Sequence, residues 1–189
     1  YEIDFIPVDS GKKNGDAITI RVTENGVTKV YVIDGGTKNT GQKLVDHIKE
    51  YYETETVDYL INTHPDLDHI SGLTLVMEQL DVKELWMHKP WGHAHEIIND
   101  ILDNRITVNS LTNRLQESLK IAKQLEEMAN ERNIPIYEPF QGDNIGHFHV
   151  LSPHPDWYNE LIKGFNNMPA SDKSTFIGEA VKSFKDKIK

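Results

Sequence analysis

Four side chains that can bind a metal ion lie within six residues of the chain, in the stretch Ile61–Gly72, INTHPDLDHISG. They are two imidazoles and two carboxylates, at His64, Asp66, Asp68 and His69. Imidazole nitrogen and carboxylate oxygen are donors that suit Zn²⁺, Mn²⁺ or Fe²⁺. The stretch follows a run typical of a buried strand, and α/β folds place ligand-binding groups in loops at such strand ends. The pattern therefore predicts half of a two-metal site.

The same residues also have a purely structural interpretation. Pro65 favours a turn, and Asp68 could cap a helix that begins near Ser71. Local composition leaves this polar turn open as an alternative. Whether the loop is a metal site or only a polar turn depends on the strands and helices that position it.

The first half of the chain alternates strands with turns and then with helices. Strands are predicted at Ile3–Asp9, Asp16–Val22 and Lys29–Gly36, separated by the turns Lys12–Gly15 and Glu24–Gly26. These strands form a β-meander on one sheet. A helix is predicted from about Gly41, then a strand at Val57–Thr63, a helix at Ser71–Leu80 and a strand at Val82–His88. Alternation of this kind is typical of an α/β fold.

The second half reads as a continuation of one domain that spans residues 1–189. Residues 89–132 are predicted to form an insertion or lid, Lys89–Thr107, followed by the longest helix, Ser110–Arg132. Apolar residues recur along that helix every three or four positions, which predicts one buried face. Strands follow near Pro135 and at His147–Pro153, and the tail is predicted to be helical in two pieces separated by NNMPASD.

Composition narrows the classes of function. The 189 residues include no cysteine, which excludes disulfides, thiolate metal sites and cysteine nucleophiles. The formal net charge of −10 argues against a basic nucleic-acid-binding surface, although bound metal ions could supply positive charge to a nuclease. No segment has the roughly 20 apolar residues of a membrane span. No basic-then-apolar leader is visible, so we expect a cytoplasmic protein. Because the chain starts at Tyr1 and not at Met, a signal peptide that has been removed is the alternative.

Three ordered motifs resemble the metallo-β-lactamase superfamily. The stretch THPDLDHISG resembles its T-H-x-H-x-D-H-x-x-G signature, and Ile33–Gly36 (IDGG) resembles the strand end that precedes the signature. Gly15–Ile20 (GDAITI) is similar to an early strand of one branch. Most members have a second histidine at the position of Asp66. An aspartate at this position resembles the ComEC/Rec2-type DNA-uptake competence proteins and their soluble relatives. Val150–Tyr158 (VLSPHPDWY) also resembles that branch.

The resemblance implies an αββα sandwich and a role for each matching residue. His64 and Asp66 would bind a first metal ion, and Asp68 and His69 a second. Asp34 would orient the ligand loop through hydrogen bonds without binding metal itself. The implied cofactors are one or two divalent metal ions, zinc or manganese.

Other histidines carry weaker expectations. His154 is either a further metal ligand, as the resemblance implies, or a surface histidine. His88 and His93, together with Trp91, either form a substrate-contacting lid or are solvated loop residues. His47, on the polar side of the first predicted helix, is expected at the surface.

The implied activity is hydrolysis of a phosphodiester, either a small molecule or a nucleic acid, by a metal-bound hydroxide. Two dications about 3.5–4 Å apart acidify a bridging water and clamp the leaving oxygen. Asp68 would be the catalytic residue, holding that hydroxide and shuttling a proton. Two alternatives remain: an ester, thioester or lactam hydrolase of the same superfamily, and a degenerate metal-binding module without activity.

The superfamily's later motifs are not found in the sequence. The T-G-D and H-H-G-S patterns, which would supply a bridging aspartate and a last histidine, do not occur after His154. We therefore expect an N-terminal fragment that holds half to two-thirds of the sandwich. Such a chain would bind metal weakly or at one site and have little activity alone. Its exposed apolar face would favour a homo-oligomer or ordering by a partner.

Overall fold

The computed structural model describes residues 1–8, 15–165 and 168–169 of the chain. The second helical piece predicted for the tail lies outside these residues, as does most of the predicted turn Lys12–Gly15. Contacts between Cα atoms divide the chain into two compact units. The first unit comprises residues 1–89 and 119–152, and the second comprises residues 90–118 and the described residues from 153 onward. No helix in the described part is long and apolar enough to cross a bilayer.

Three antiparallel strands open the first unit, as the predicted meander requires. They are β1 (Glu2–Phe5), β2 (Ala17–Glu24) and β3 (Val27–Gly35), paired β1 to β2 and β2 to β3. The β2–β3 turn is Asn25-Gly26, and both residues have positive φ, 51° and 79°. Two such residues form the type I′ turn whose twist matches a β-hairpin. The meander is therefore confirmed, with β1 shorter than expected.

Parallel strands continue the same sheet. β4 (Thr56–Ile61), β5 (Asp81–Trp86) and β6 (Ile136–Tyr137) follow β3 in spatial order, and each runs parallel to its neighbour. The helices in these crossovers include α1 (Lys38–Tyr51), the short α2 (Leu67–Ile70), α3 (Leu73–Gln79) and α6 (Lys120–Glu131). The predicted α/β class is confirmed. Since parallel strands end at one edge of a sheet, β3, β4, β5 and β6 bring their following loops together there.

Amphipathic helices form one layer of the core against this sheet. Thr37 caps α1, its side chain accepting a hydrogen bond from the Thr40 backbone N–H at 3.4 Å. The buried face of α1 contains Leu44, Val45 and Ile48. Burying each such aliphatic side chain contributes about 1.5–3 kcal/mol. The β7–β8 hairpin comprises Asn144–Ile145 and Phe148–His149. Its Ile145 belongs to a second cluster with four apolar residues of the sheet, Ile20, Tyr31, Ile61 and Trp86.

A close approach of two backbones connects the end of β3 to the link between α2 and α3. The Gly72 N–H donates a hydrogen bond to the Gly36 carbonyl at 3.1 Å. A Cβ added to Gly72 would lie 1.9 Å from the Gly35 carbonyl oxygen, and one added to Gly35 would lie 2.4 Å from the Leu73 nitrogen. Only glycine fits on both sides of this contact. It fixes the distance between the strand end and the segment that carries the predicted metal ligands.

The single long helix expected at Ser110–Arg132 is wrong. The structure has two helices, α5 (Val108–Ser118) and α6, and at Leu119 between them the backbone leaves helical geometry (φ −118°, ψ 46°). Ser118 Oγ donates to the Leu115 carbonyl at 2.9 Å, a local side-chain bond that competes with continuation of the helix. The apolar spacing continues across the break, so periodicity alone could not reveal it.

The second unit has its own small core. Two 3₁₀ turns, Pro90–His93 and Ile98–Asp100, flank α4 (Ala94–Ile97), and α5 and α7 (Pro155–Lys163) complete the described part. The buried Lys163 ammonium lies 2.8 Å from Asp100 Oδ2 and 2.5 Å from Glu160 Oε1. Burial would lower the pKa of Lys163, but these two carboxylates outweigh burial and raise it. The Lys163–Asp100 ion pair therefore links the second 3₁₀ turn, Ile98–Asp100, to α7.

A polar network fastens the edge strand β1 to α1. Asp4 Oδ2 accepts a 2.7 Å hydrogen bond from the Tyr52 hydroxyl and lies 3.1 Å from His47 Nε2. The His47 side chain is 18% exposed and stacks on Tyr51, so it is half-buried and not fully exposed at the surface as expected. Burial would raise the pKa of Asp4, but the hydrogen bonds from Tyr52 and His47 outweigh it and hold that pKa below its ordinary value.

This network predicts a pH-dependent contribution to stability. A carboxyl with a lowered folded-state pKa stabilises the fold above its unfolded pKa of about 3.9, and the contribution disappears as the pH falls through the folded value. Asp4→Asn is therefore expected to lower the free energy of unfolding by about 1–2 kcal/mol at neutral pH. The difference from wild type should close below about pH 4. Urea unfolding at a series of pH values measures it.

The exposed Asp81, beside Lys83 on the same sheet, offers the matched control. Asp81→Asn should change stability by no more than about 0.5 kcal/mol at every pH. A cost for Asp4→Asn that stays constant down to about pH 3 would contradict the role given to this network.

Candidate metal centre

The loop with the predicted ligands starts where β4 ends and leads directly into α2. Asp66 precedes the helix with an extended backbone (φ −68°, ψ 139°), but its side chain makes no capping hydrogen bond. Asp68 lies inside the first turn of α2, and α3 has Gly72 at its N-cap. The capping role that the polar-turn alternative gives Asp68 is therefore wrong. Capping explains neither carboxylate.

A buried carboxylate at the end of β3 holds this loop. Asp34 is 2% exposed, and its φ of 55° lies in the left-handed region that residues other than glycine rarely adopt. Asp34 Oδ1 accepts hydrogen bonds from the Thr63 backbone N–H at 2.8 Å and from Asn62 Nδ2 at 3.3 Å. Asp34 Oδ2 accepts a 2.5 Å bond from the Thr63 hydroxyl and lies 3.0 Å from His69 Nδ1. One carboxylate thus binds the loop at three points and α2 at a fourth.

The two imidazoles of the signature lie next to each other. The ring centroids of His64 and His69 are 3.9 Å apart, with 51° between the ring planes. One ligand atom from each of Asp34, His64 and His69 lies within 4.8 Å of the other two. The His64 side chain is 43% exposed, so an ion could reach the group from solvent. Two imidazole nitrogens and a carboxylate form a donor set that fits Zn²⁺ or Mn²⁺.

The two signature carboxylates stand outside this compact group. Asp66 Oδ2 lies 3.8 Å from His64 Nε2, and the Asp66 side chain is 75% exposed. Asp68 is half-buried. In the part of the chain that the structure describes, the group with metal-ligand spacing therefore contains Asp34 together with the two histidines.

Sequence reasoning missed a second acidic residue beside the group. Asp16 Oδ2 lies 3.9 Å from His69 Nδ1, and the Asp16 carbonyl accepts a 2.8 Å hydrogen bond from the Gly36 N–H. A Cβ on the neighbouring Gly15 would lie 1.7 Å from the Asp68 carbonyl oxygen. The start of β2 therefore lies against the ligand loop. The signal was available in the sequence, because β2 and β3 form a hairpin and Ala17 must pair near Gly35.

His88, a predicted substrate contact, follows β5 at the sheet edge where Asp34 lies at the end of β3 and His64 follows β4. The half-buried ring lies against Phe140, with centroids 4.8 Å apart, and His88 Nδ1 is 3.8 Å from Glu138 Oε1. Glu138 in turn accepts a 2.7 Å hydrogen bond from the Lys89 N–H. His88 is therefore held in place.

The remaining predicted site residues belong to the second unit. Trp91 is buried, so the solvated-loop alternative is wrong for it. The His93 ring packs edge-on against Tyr158, with centroids 5.2 Å apart. His154 precedes α7, and its Nδ1 accepts a hydrogen bond from the Asp156 N–H at 3.3 Å, as a helix cap does. Roles in metal or substrate binding for these three residues stay predictions.

Comparison with known families agrees with this geometry. The model of the metallo-beta-lactamase superfamily matches residues 14–151, which is well over half of the chain. The chain belongs to the metallo-beta-lactamase superfamily. Superfamily members are generally hydrolases that bind divalent metal ions, and the match spans Asp16, Asp34 and the whole ligand loop. No curated protein matches the chain.

The contact between Gly15 and the ligand loop predicts a sensitive position. Gly15→Ala must displace the Asp68 backbone, and we expect it to weaken Zn²⁺ binding about 10–100-fold, the range seen when groups that orient metal ligands are lost. Isothermal titration calorimetry measures the affinity, and circular dichroism checks that the fold is retained.

Gly92 supplies the control, since a Cβ there would meet nothing within 4 Å. Gly92→Ala should bind Zn²⁺ as wild type does. A Gly15→Ala variant with wild-type affinity would show that the ligand loop does not depend on this contact.

Proposed function

We propose that this superfamily member is a metal-dependent phosphodiesterase with nuclease-like activity, of the branch that resembles the soluble domain of ComEC/Rec2-type competence proteins. The observation that carries the proposal is Asp66. A carboxylate beside His64, where most members have a second imidazole, makes the donor set harder and richer in oxygen. Such donors favour the hard cations that bind phosphate oxygens.

The proposed ligands follow the signature. His64 and Asp66 would hold one ion, Asp68 and His69 a second, and His154 could add a further nitrogen. Zinc and manganese are the proposed ions. When bound, they would supply Lewis acidity that activates water and offsets the charge of the phosphoryl oxygens.

The chain's own residues would orient and move protons around that centre. Asp34 would keep the ligand loop in one conformation through its four hydrogen bonds. Asp68 would hold the attacking water and shuttle its proton. His88, at the same sheet edge, would contact the substrate, and Trp91 and His93 are proposed as further substrate contacts.

Charge is consistent with this assignment. With a net charge of −10, the protein repels a phosphodiester at long range, so binding must depend on local positive charge from metal ions. Low affinity for nucleic acid without metal is therefore expected.

Hydrolysis of bis-p-nitrophenyl phosphate with added Mn²⁺ or Zn²⁺ tests the proposal. Asp68→Asn should lower kcat about 10²–10⁴-fold, the usual contribution of a proton-transferring group. His149→Ala, at an exposed hairpin histidine, should leave the rate unchanged. Metal content per chain is measured on the same samples.

The two alternative functions, hydrolysis of an ester, thioester or lactam and metal binding without catalysis, would each give a different result. Turnover of p-nitrophenyl acetate or a chromogenic lactam without phosphodiester turnover would favour the ester and lactam branches. A protein that carries two ions per chain and hydrolyses none of these substrates would be a non-catalytic metal-binding module.

A further inference from the structure

We infer that Thr63 is a positioning residue: its hydroxyl relays the charge of Asp34 to His64 and thereby keeps the imidazole proton on Nδ1, leaving Nε2 as the metal-binding atom. This inference rests on the proposed function, because it gives His64 the role of a metal ligand. The signature does not assign the role, since Thr63 has no metal-binding atom of its own in that pattern.

The first step is the hydrogen-bond capacity of Asp34. A carboxylate has no proton to donate, so all four of its partners must be donors. The Thr63 backbone N–H and the Asn62 amide serve Oδ1, and the Thr63 hydroxyl and His69 Nδ1 serve Oδ2. The 2.5 Å distance from the Thr63 hydroxyl to Oδ2 is typical of a hydroxyl that donates to a charged oxygen.

The second step follows from the single proton of a hydroxyl. Thr63 Oγ1 lies 2.9 Å from His64 Nδ1. Because the hydroxyl proton is already given to Asp34, Thr63 Oγ1 can only accept here. His64 Nδ1 must therefore carry a proton, and in the neutral ring Nε2 keeps its lone pair. His64 Nε2 is also the nitrogen that lies 3.8 Å from the Asp66 carboxylate.

The same carboxylate sets the second imidazole directly. His69 Nδ1 lies 3.0 Å from Asp34 Oδ2, so it donates and leaves His69 Nε2 as the acceptor nitrogen. A carboxylate behind a ligating imidazole is a common way to fix its tautomer and raise its basicity. His64 receives the same influence through one intervening hydroxyl. Both rings thus present the same nitrogen.

Two further hydrogen bonds hold the backbone of Thr63 and His64 in place, and with it the side chains of the relay. The Thr63 backbone N–H donates to Asp34, and Asn62 Nδ2 donates to the His64 carbonyl at 2.7 Å. The His64 backbone is therefore held on one side and its ring on the other. A ring that is 43% exposed would otherwise sample both neutral tautomers and several rotamers in water.

Two substitutions separate the hydroxyl from the bulk of the side chain. Thr63→Val keeps the β-branched shape and removes the hydroxyl, whereas Thr63→Ser keeps the hydroxyl and removes a methyl group. Thr23→Val controls for the substitution itself, at an exposed threonine of β2 whose hydroxyl oxygen lies 2.9 Å from that of Thr28.

The experiment is ¹⁵N NMR of histidine-labelled, metal-free protein at about pH 8, where imidazole in solution is neutral. Wild type and Thr63→Ser should show His64 protonated at Nδ1, and Thr63→Val should show a mixture of tautomers or the Nε2–H form. Zn²⁺ affinity should fall about 10–100-fold in Thr63→Val and be restored in Thr63→Ser. Thr23→Val should match wild type in both measurements.

The outcomes separate this inference from the proposed function. A wild-type His64 protonated at Nε2 overturns the relay even if Thr63→Val does not fold, and so does a Thr63→Val variant with unchanged tautomer and affinity. If the tautomers respond as expected and the affinity follows, but no substrate is hydrolysed, the phosphodiesterase proposal fails and the positioning role stands. If no variant binds Zn²⁺, the metal-binding role of His64 fails, and the inference fails with it.

Discussion

The structure of the candidate centre depends on one buried anion. Asp34 is almost completely buried, and removing a carboxylate from water is costly unless its oxygens accept hydrogen bonds. Three donors from the loop after β4 and a fourth, His69, from α2 satisfy them, so this segment cannot move away without leaving the charge uncompensated. The left-handed backbone at Asp34 costs of the order of 1–3 kcal/mol, and the surrounding hydrogen bonds keep it in place. The geometry of the histidines is therefore a consequence of where this charge is buried.

The sheet brings that anion to the ligand loop. Asp34 lies at the end of β3, and the loop leaves the adjacent parallel strand β4, with Ile33 paired to Ile61. The Gly72–Gly36 hydrogen bond then returns the chain to the same strand end after α2. The loop that carries the candidate metal ligands is thus attached at both of its ends. The two attachments explain how a short segment with an exposed His64 can have a defined conformation.

Local patterns in the sequence were sufficient for the elements and for the signature. Asn25-Gly26 predicts the hairpin turn because few other pairs adopt two positive φ values, and the crowding of His64 with His69 predicts a metal loop. They were insufficient where the outcome depends on partners that are distant in sequence. His47 lies on a polar helix face, yet it is partly covered because Asp4 on β1 contacts it. The break at Leu119 was missed for a different, local reason: it preserves the apolar spacing, so the pattern on either side resembles one helix.

The same distinction applies within the candidate centre. Residue types with metal-binding atoms stand out in a sequence, but Thr63 and Asp16 gain their places only through pairing across the sheet. Asp66 differs from the usual histidine, and its exposed side chain meets few neighbours that would resist such a change. Gly35 and Gly72 carry no chemistry, yet the addition of one methyl group to either would force two backbones apart. A change of donor atom at the exposed Asp66 therefore disturbs fewer packed neighbours than one methyl group at Gly35 or Gly72, so the close approach of these two backbones tolerates less change than this donor position.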